Sequence, residues 1–195
     1  MTPATAQLRA GVRKPAAVRR AEIIEAATVS FAETGLAGTG IEAIAACAGV
    51  THPRIIQMFG TKRALFLDVV AGVFDRIEAA FSEARDRGGG EASSRLVALG
   101  DAYRRLLQRD RAVALVMLHA YAAASDEEVR EVVGRRYLRL QQAVSDITEA
   151  DALQVRTFFA TGLVITVSTA LALPGRRTDA TWGRWLLERV ADDTR

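Results

Sequence analysis

Apolar residues recur along this chain at helical spacing, and no stretch alternates with the period of a strand. From about Ala16 to Thr34, Ile23, Ile24, Ala27 and Phe31 share one stripe of a helical wheel, and Gly35 follows as a stop. A short second helix is predicted from Thr39 to Ala48-Gly49, with Ile41, Ile44 and Ala45 on its apolar side. Thr39-Gly40-Ile41-Glu42 has the form of a capping box, the hydroxyl capping an early N–H while the glutamate reaches back. After Val50, Thr51 is placed to cap a third short helix with Ile55, Ile56 and Phe59 inward. Two short helices about a tight glycine turn make a helix-turn-helix. Longer helices follow over about 62–87, 91–108, 110–124, 126–149 and 152–173, with Gly88-Gly89-Gly90 and Pro174-Gly175 as breaks and a last helix over about 179–191.

The pattern predicts an all-α chain: a flexible basic arm (1–15), a three-helix helix-turn-helix domain (16–62) and a larger helical domain (63–195). Only four prolines and an abundance of Ala, Leu, Arg and Glu suit that reading, since these side chains lose little freedom in a helix. Between Arg156 and Arg176 lie 19 uncharged residues, near the minimum for a membrane span. Its glycines, hydroxyl residues and late proline fit a helix buried against protein better, and no membrane partner is expected. The N-terminus has no apolar signal-peptide core, and the single cysteine, Cys47, excludes an intrachain disulfide; both suit a cytoplasmic protein. Cys47 lies between Ala46 and Ala48 and is expected to be a small buried residue rather than a redox sensor.

Charge changes the picture. Residues 1–63 hold eight Lys/Arg against four Asp/Glu, and residues 64–195 hold 18 against 19, so the net +3 originates at the N-terminal end. A polyanion partner is expected there. On the third helix, Pro53, Arg54, Gln57 and Met58 lie opposite the apolar face. Arginine can bridge guanine O6/N7 and glutamine adenine N6/N7, so Arg54 and Gln57 are candidates for reading base edges. Lys62, just after Gly60-Thr61, is placed to neutralise a phosphate, as are Arg13 and Lys14 of the arm. Catalysis is not expected: His52 and His119 are far apart, and nucleophile elbow, phosphate-binding glycine loop and HExxH are all missing. No cofactor or metal is implied.

Phe31, Gly35, Thr39, Ile44-Ala45, Ala48-Gly49-Val50-Thr51, Phe59, Thr61-Lys62 and Leu65-Phe66 together resemble the DNA-binding region of the tetracycline-repressor (TetR) family over about a quarter of the chain. The resemblance implies a transcriptional regulator, by family habit a repressor. It would bind a near-palindromic operator as a homodimer and be released by a small apolar or amphipathic molecule. The DNA-binding residues it suggests are Thr39, Gly40, Thr51, His52, Pro53, Arg54, Gln57, Met58 and Lys62. The chain departs from the family pattern at Ile56 and Met58, where aromatic or histidine residues are common, at Arg54, where a small residue is common, and at Gly40, which replaces a frequent threonine.

The family's ligand pocket lies among the central helices of the body, and Phe74, Tyr103, Met117, His119, Tyr121, Tyr137 and Phe158 are the candidates to line it. The resemblance also implies a four-helix interface built from the last two helices of each protomer. The sequence agrees, because helix 152–173 is apolar nearly all round. Phe159, Gly162, Leu163, Thr166, Trp182, Trp185 and Leu186 are the expected interface residues. A regulator of the same type controlled by a protein partner instead of a small molecule is the alternative.

Overall fold

The computed structural model describes residues 15–85 and 90–173, and these form eight α-helices with no strand among them. The first, α1 (Ala16–Gly38), buries Ile23, Ala27 and Phe31 from one stripe, as i, i+4 spacing dictates. Gly35 does take the conformation of a stop, at φ 66° and ψ −175°, but the helix kinks there and makes one more turn to Gly38. Thr39 then ends it, and the capping box expected at Thr39 does not form. Its hydroxyl donates to the Gly35 carbonyl at 2.6 Å, which also accepts the Thr39 backbone N–H at 3.2 Å. Gly40 becomes the N-cap of α2 (Ile41–Ala48), and Glu42 turns to His52 instead.

Gly49, at φ 62°, turns the chain into α3 (His52–Phe59). Gly60 closes α3, and the Thr61 hydroxyl accepts the Ala64 N–H at 3.0 Å to start α4 (Lys62–Arg85). Phe31 of α1 and Phe66 of α4 meet edge to face at 5.0 Å over the fully buried Ile44 and Ile55. Arg20 completes the unit: its guanidinium lies 5.0 Å from the Phe59 ring centre and 2.7 Å from the Asp68 carboxylate, joining α1, α3 and α4.

The body adds α5 (Ala92–Arg109), α6 (Arg111–Ala122) with a 3-10 turn at Ala123–Ser125, α7 (Glu127–Thr148) and α8 (Ala152–Ala170). Asp110, Asp126 and Asp151 each cap the helix that follows by accepting an early backbone N–H, and Gln154 makes the last of these a true capping box. The long helix α4 is shared. Its first turn belongs to the helix-turn-helix, while Val69, Val70, Val73, Phe74, Ile77 and Phe81 carry the same buried face into the body. Three arginine pairs bind it laterally to α7: Arg63 with Asp126 (2.9 Å) and Glu128 (3.0 Å), Arg136 with Asp75 (2.8 Å), and Arg139 with Glu78 (3.1 Å). Exposed pairs of this kind are worth about 0–1 kcal/mol each, so they set register more than stability.

Helix α8 is the one described helix long and apolar enough to cross a membrane. Within the described part of one protomer little of it is buried, 17% of its apolar window. Val155, Thr166 and Ala170 face the bundle, while Leu163, Val167 and Leu171 are 50%, 38% and 63% exposed. The predicted last helix with Trp182, Trp185 and Leu186, and residues 1–14 of the arm with Arg13 and Lys14, lie outside the described residues.

Candidate nucleic-acid interface and body cavity

Helix α3 inserts Ile55 and Phe59 into the core and leaves Thr51, His52, Pro53 and Gln57 exposed, with Arg54 half-buried at their edge. Two expectations about its faces are overturned. Ile56, placed inward from sequence, is 37% exposed and stands on the outer face. Met58, placed outward, is half-buried and packs against the core. The inner face is centred between Ile55 and Met58, so the outer one gains an apolar side chain able to meet a thymine methyl.

The polar groups hold one another in place. Arg54 donates to the Gln57 amide oxygen at 2.8 Å, so the two candidate base readers are aligned as a pair. His52 Nδ1 lies 2.9 Å from Glu42 Oε1 and ties α3 to α2. Lys62 donates to the Thr39 carbonyl at 2.9 Å. An ammonium has three donors, so this bond fixes the helix-turn-helix and leaves others for a phosphate. Thr39 itself is buried and its hydroxyl is engaged with Gly35 and Thr34, which turns a predicted phosphate contact into an internal fastener. Gly40 is exposed at the start of α2. Cys47 is exposed, not buried as expected, because Ile44 and Ala45 take the inner face of this short helix.

The body forms a cavity of about 630 Å³, open to solvent on one side and within the ~300–1,000 Å³ typical of small-molecule sites. Of the seven residues picked from sequence, Tyr103, Met117, Tyr121, Tyr137 and Phe158 line it. Phe74 and His119 do not. Phe74 is fully buried in the packing of α4, and His119 points to the helix-turn-helix: a Cβ built at Gly35 would stand 2.6 Å from its Nδ1. Sequence reasoning missed Phe81, Phe159, Leu163, Gln141, Arg130 and Arg156. Aromatic rings form a continuous wall, from Tyr121 to Tyr137 (6.2 Å), Phe159 (5.3 Å), Phe158 (5.6 Å) and Phe81 (5.8 Å).

Tyr103 and the Thr166 hydroxyl share a 2.7 Å bond that fastens α5 to α8. Burial pushes the Tyr103 phenol upward, opposed by that bond, and burial with the neighbouring Tyr103 and Tyr137 phenols pushes Tyr121 up further. Both are therefore neutral at physiological pH. Three predicted interface residues line this cavity within the protomer. Phe159 stacks on Tyr137, Gly162 lies 3.9 Å (from its built Cβ) below Tyr103, and Thr166 is buried; Leu163 alone of the four is turned outward, at the cavity rim.

Comparison with known proteins bears on both sites. Residues 23–69 match the family model of bacterial regulatory proteins, tetR family. A TetR-like transcriptional regulator from Rhodococcus sp. RHA1 is similar in structure with a TM-score of 0.72 at 21% identity, over 92% of this chain and 99% of that one. The transcriptional regulator FadR from Bacillus subtilis, solved with stearoyl-CoA, gives 0.70 at 21% identity over 86% and 95%. The ketosteroid transcriptional regulator KstR2 of Mycobacterium tuberculosis gives 0.63 at 21% over 93% and 95%. No curated protein matches the sequence. These likenesses show a shared fold.

Proposed function

We propose that this chain, whose residues 23–69 match the family model of bacterial regulatory proteins of the tetR family, is a DNA-binding transcriptional repressor which binds a near-palindromic operator as a homodimer and is released by a small apolar or amphipathic molecule in the body cavity. The observation that carries the reading is the joint presence of an exposed polar face on α3 and a ring-walled cavity that reaches the helix-turn-helix through two helices. The FadR structure of the same fold holds stearoyl-CoA, which supports an apolar occupant for a cavity of this kind. The proposed division of labour is residues 16–62 for DNA and 63–195 for effector and dimer, with α4 common to both.

Two routes link the sites. Helix α6 sends Met117 into the cavity and, two residues on, His119 against Gly35 of α1. Helix α7 lines the cavity with Val133, Tyr137 and Leu140 and grips α4 through Arg136 and Arg139. An effector that fits only one arrangement of α6 and α7 selects one setting of α1 and α4, and hence one separation of the two α3 helices. It regulates only by its difference in affinity between those settings.

On the DNA, Arg54, Gln57 and Ile56 are the proposed base readers, and Thr51, His52, Pro53, Gly40 and Lys62 lie beside the backbone. Arg54→Ala is expected to relax sequence preference at one position per half-site, at a cost of about 1–3 kcal/mol on the best operator. Lys62→Ala should weaken every duplex alike and flatten the salt dependence by about one unit of slope. Selection of bound duplexes from a randomised library by the purified protein tests the whole reading. An enriched inverted repeat supports it; a folded, ligand-free protein that enriches nothing overturns it. Equal loss on every sequence for Arg54→Ala removes that residue from base readout.

A further inference from the structure

The cavity is asymmetric in charge. Among the described residues two arginines, Arg130 and Arg156, line it, and no aspartate or glutamate does. Each lies near the N-terminal end of its helix, Arg130 on α7 and Arg156 on α8. The two differ in how they are occupied. Arg130 donates to the Ala124 carbonyl at 3.4 Å and lies 3.6 Å from Glu127, whereas Arg156 has no hydrogen-bond or ion-pair partner among the described residues. Most described arginines of the body are paired across or along helices, as Arg63, Arg76, Arg95, Arg136 and Arg139 are. A free guanidinium at the edge of a ring-walled cavity is thus a distinct feature, with the Gln141 amide also among the lining groups.

We propose that the effector is an apolar organic acid, ionised at neutral pH, whose anionic head is held by Arg156 while its apolar body lies among Phe81, Tyr121, Tyr137 and Phe158. This rests on the reading of the cavity as the effector site and names the class of molecule it takes. The Arg156 guanidinium, exposed at the rim, is a planar fork of fixed donors that matches a carboxylate with two parallel bonds. An amine of the same shape meets two cations and no carboxylate. A wholly apolar molecule leaves the guanidinium without a counter-charge. Tyr121, kept neutral by burial, adds no negative charge against an acid and can donate to an oxygen on the body of the ligand.

Two dyes of one skeleton separate the head from the body: 8-anilinonaphthalene-1-sulfonate, an anion, and N-phenyl-1-naphthylamine, which lacks the sulfonate. Both brighten on entering an apolar site, and both are titrated into the full chain and three variants. With Arg156→Gln, the dissociation constant of the anionic dye is expected to rise about tenfold or more and that of the neutral dye to stay within about twofold. Arg130→Gln is expected to change neither by more than about threefold, since its guanidinium is already shared. Gly134→Phe is expected to abolish both, because a Cβ at Gly134 of α7 meets open space within the cavity. Equal effects of Arg156→Gln on both dyes, or none on either, overturn the anionic head while leaving the cavity reading intact. So does a selective loss that follows Arg130. Failure of the wild type to bind either dye, or binding that survives Gly134→Phe, removes the cavity reading and the proposal with it.

Discussion

Val167→Glu combined with Leu171→Glu is expected to convert the protein to a monomer and to lower its affinity for a two-half-site operator by about 10²–10⁴-fold, the advantage lost when two linked contacts become one. The reason lies in α8. Its outer side presents Leu163, Val167 and Leu171 at one-turn spacing, a stripe that nothing in the described protomer covers. Burying each leucine or valine contributes about 1.5–3 kcal/mol, and a two-fold axis counts every residue twice. The same symmetry makes the glutamates severe: four carboxylates would be brought together in an apolar seam where an unpaired charge is strongly disfavoured. Neither residue lines the cavity, so binding of the anionic dye should persist in the double variant. Sedimentation velocity and operator titration read the two effects separately. A double variant that stays dimeric would move the interface off this stripe, and a monomer with full operator affinity would end the two-half-site reading.

Those residues show what periodicity can and cannot resolve. The helix-turn-helix was legible because its signals are local: positive-φ glycines at 35, 49 and 60, and apolar residues whose spacing on α1 and α2 leaves one choice of inner face. On α3 the wheel was centred on Ile55, Ile56 and Phe59, which drew Ile56 into the core and pushed Met58 out. On α8 the same rule had no purchase, since a helix apolar all round has no face that spacing can single out. Phe159, Gly162 and Thr166, read as interface, line the cavity within the protomer. In the cavity, aromatic and methionine residues were recognisable by type. Arg130 and Arg156 were not, because a cation at the rim of an apolar space is indistinguishable in sequence from an ordinary surface arginine. His119 was misplaced for a further reason: it lies two residues from Met117, and on a helix that step reverses direction.

Gly35→Ala should be the most damaging single added methyl among the described glycines. At φ 66° and ψ −175° the backbone is in a region open essentially to glycine alone, so any Cβ costs about 1–3 kcal/mol in strain. The new methyl would also stand 2.6 Å from His119 Nδ1, closer than real Cβ contacts allow, which adds about 1–3 kcal/mol of overpacking. His119→Ala in the same chain removes the second cost and not the first. In urea denaturation the pair should therefore be non-additive, with the double variant more stable than the sum of the singles predicts. Strictly additive losses would mean that the imidazole yields freely and that the contact constrains nothing. The cycle also tests the route from cavity to DNA. If His119 sets the angle of α1, His119→Ala should leave dye affinity within about twofold while weakening the effect of bound ligand on operator affinity, since coupling can fall without loss at either site.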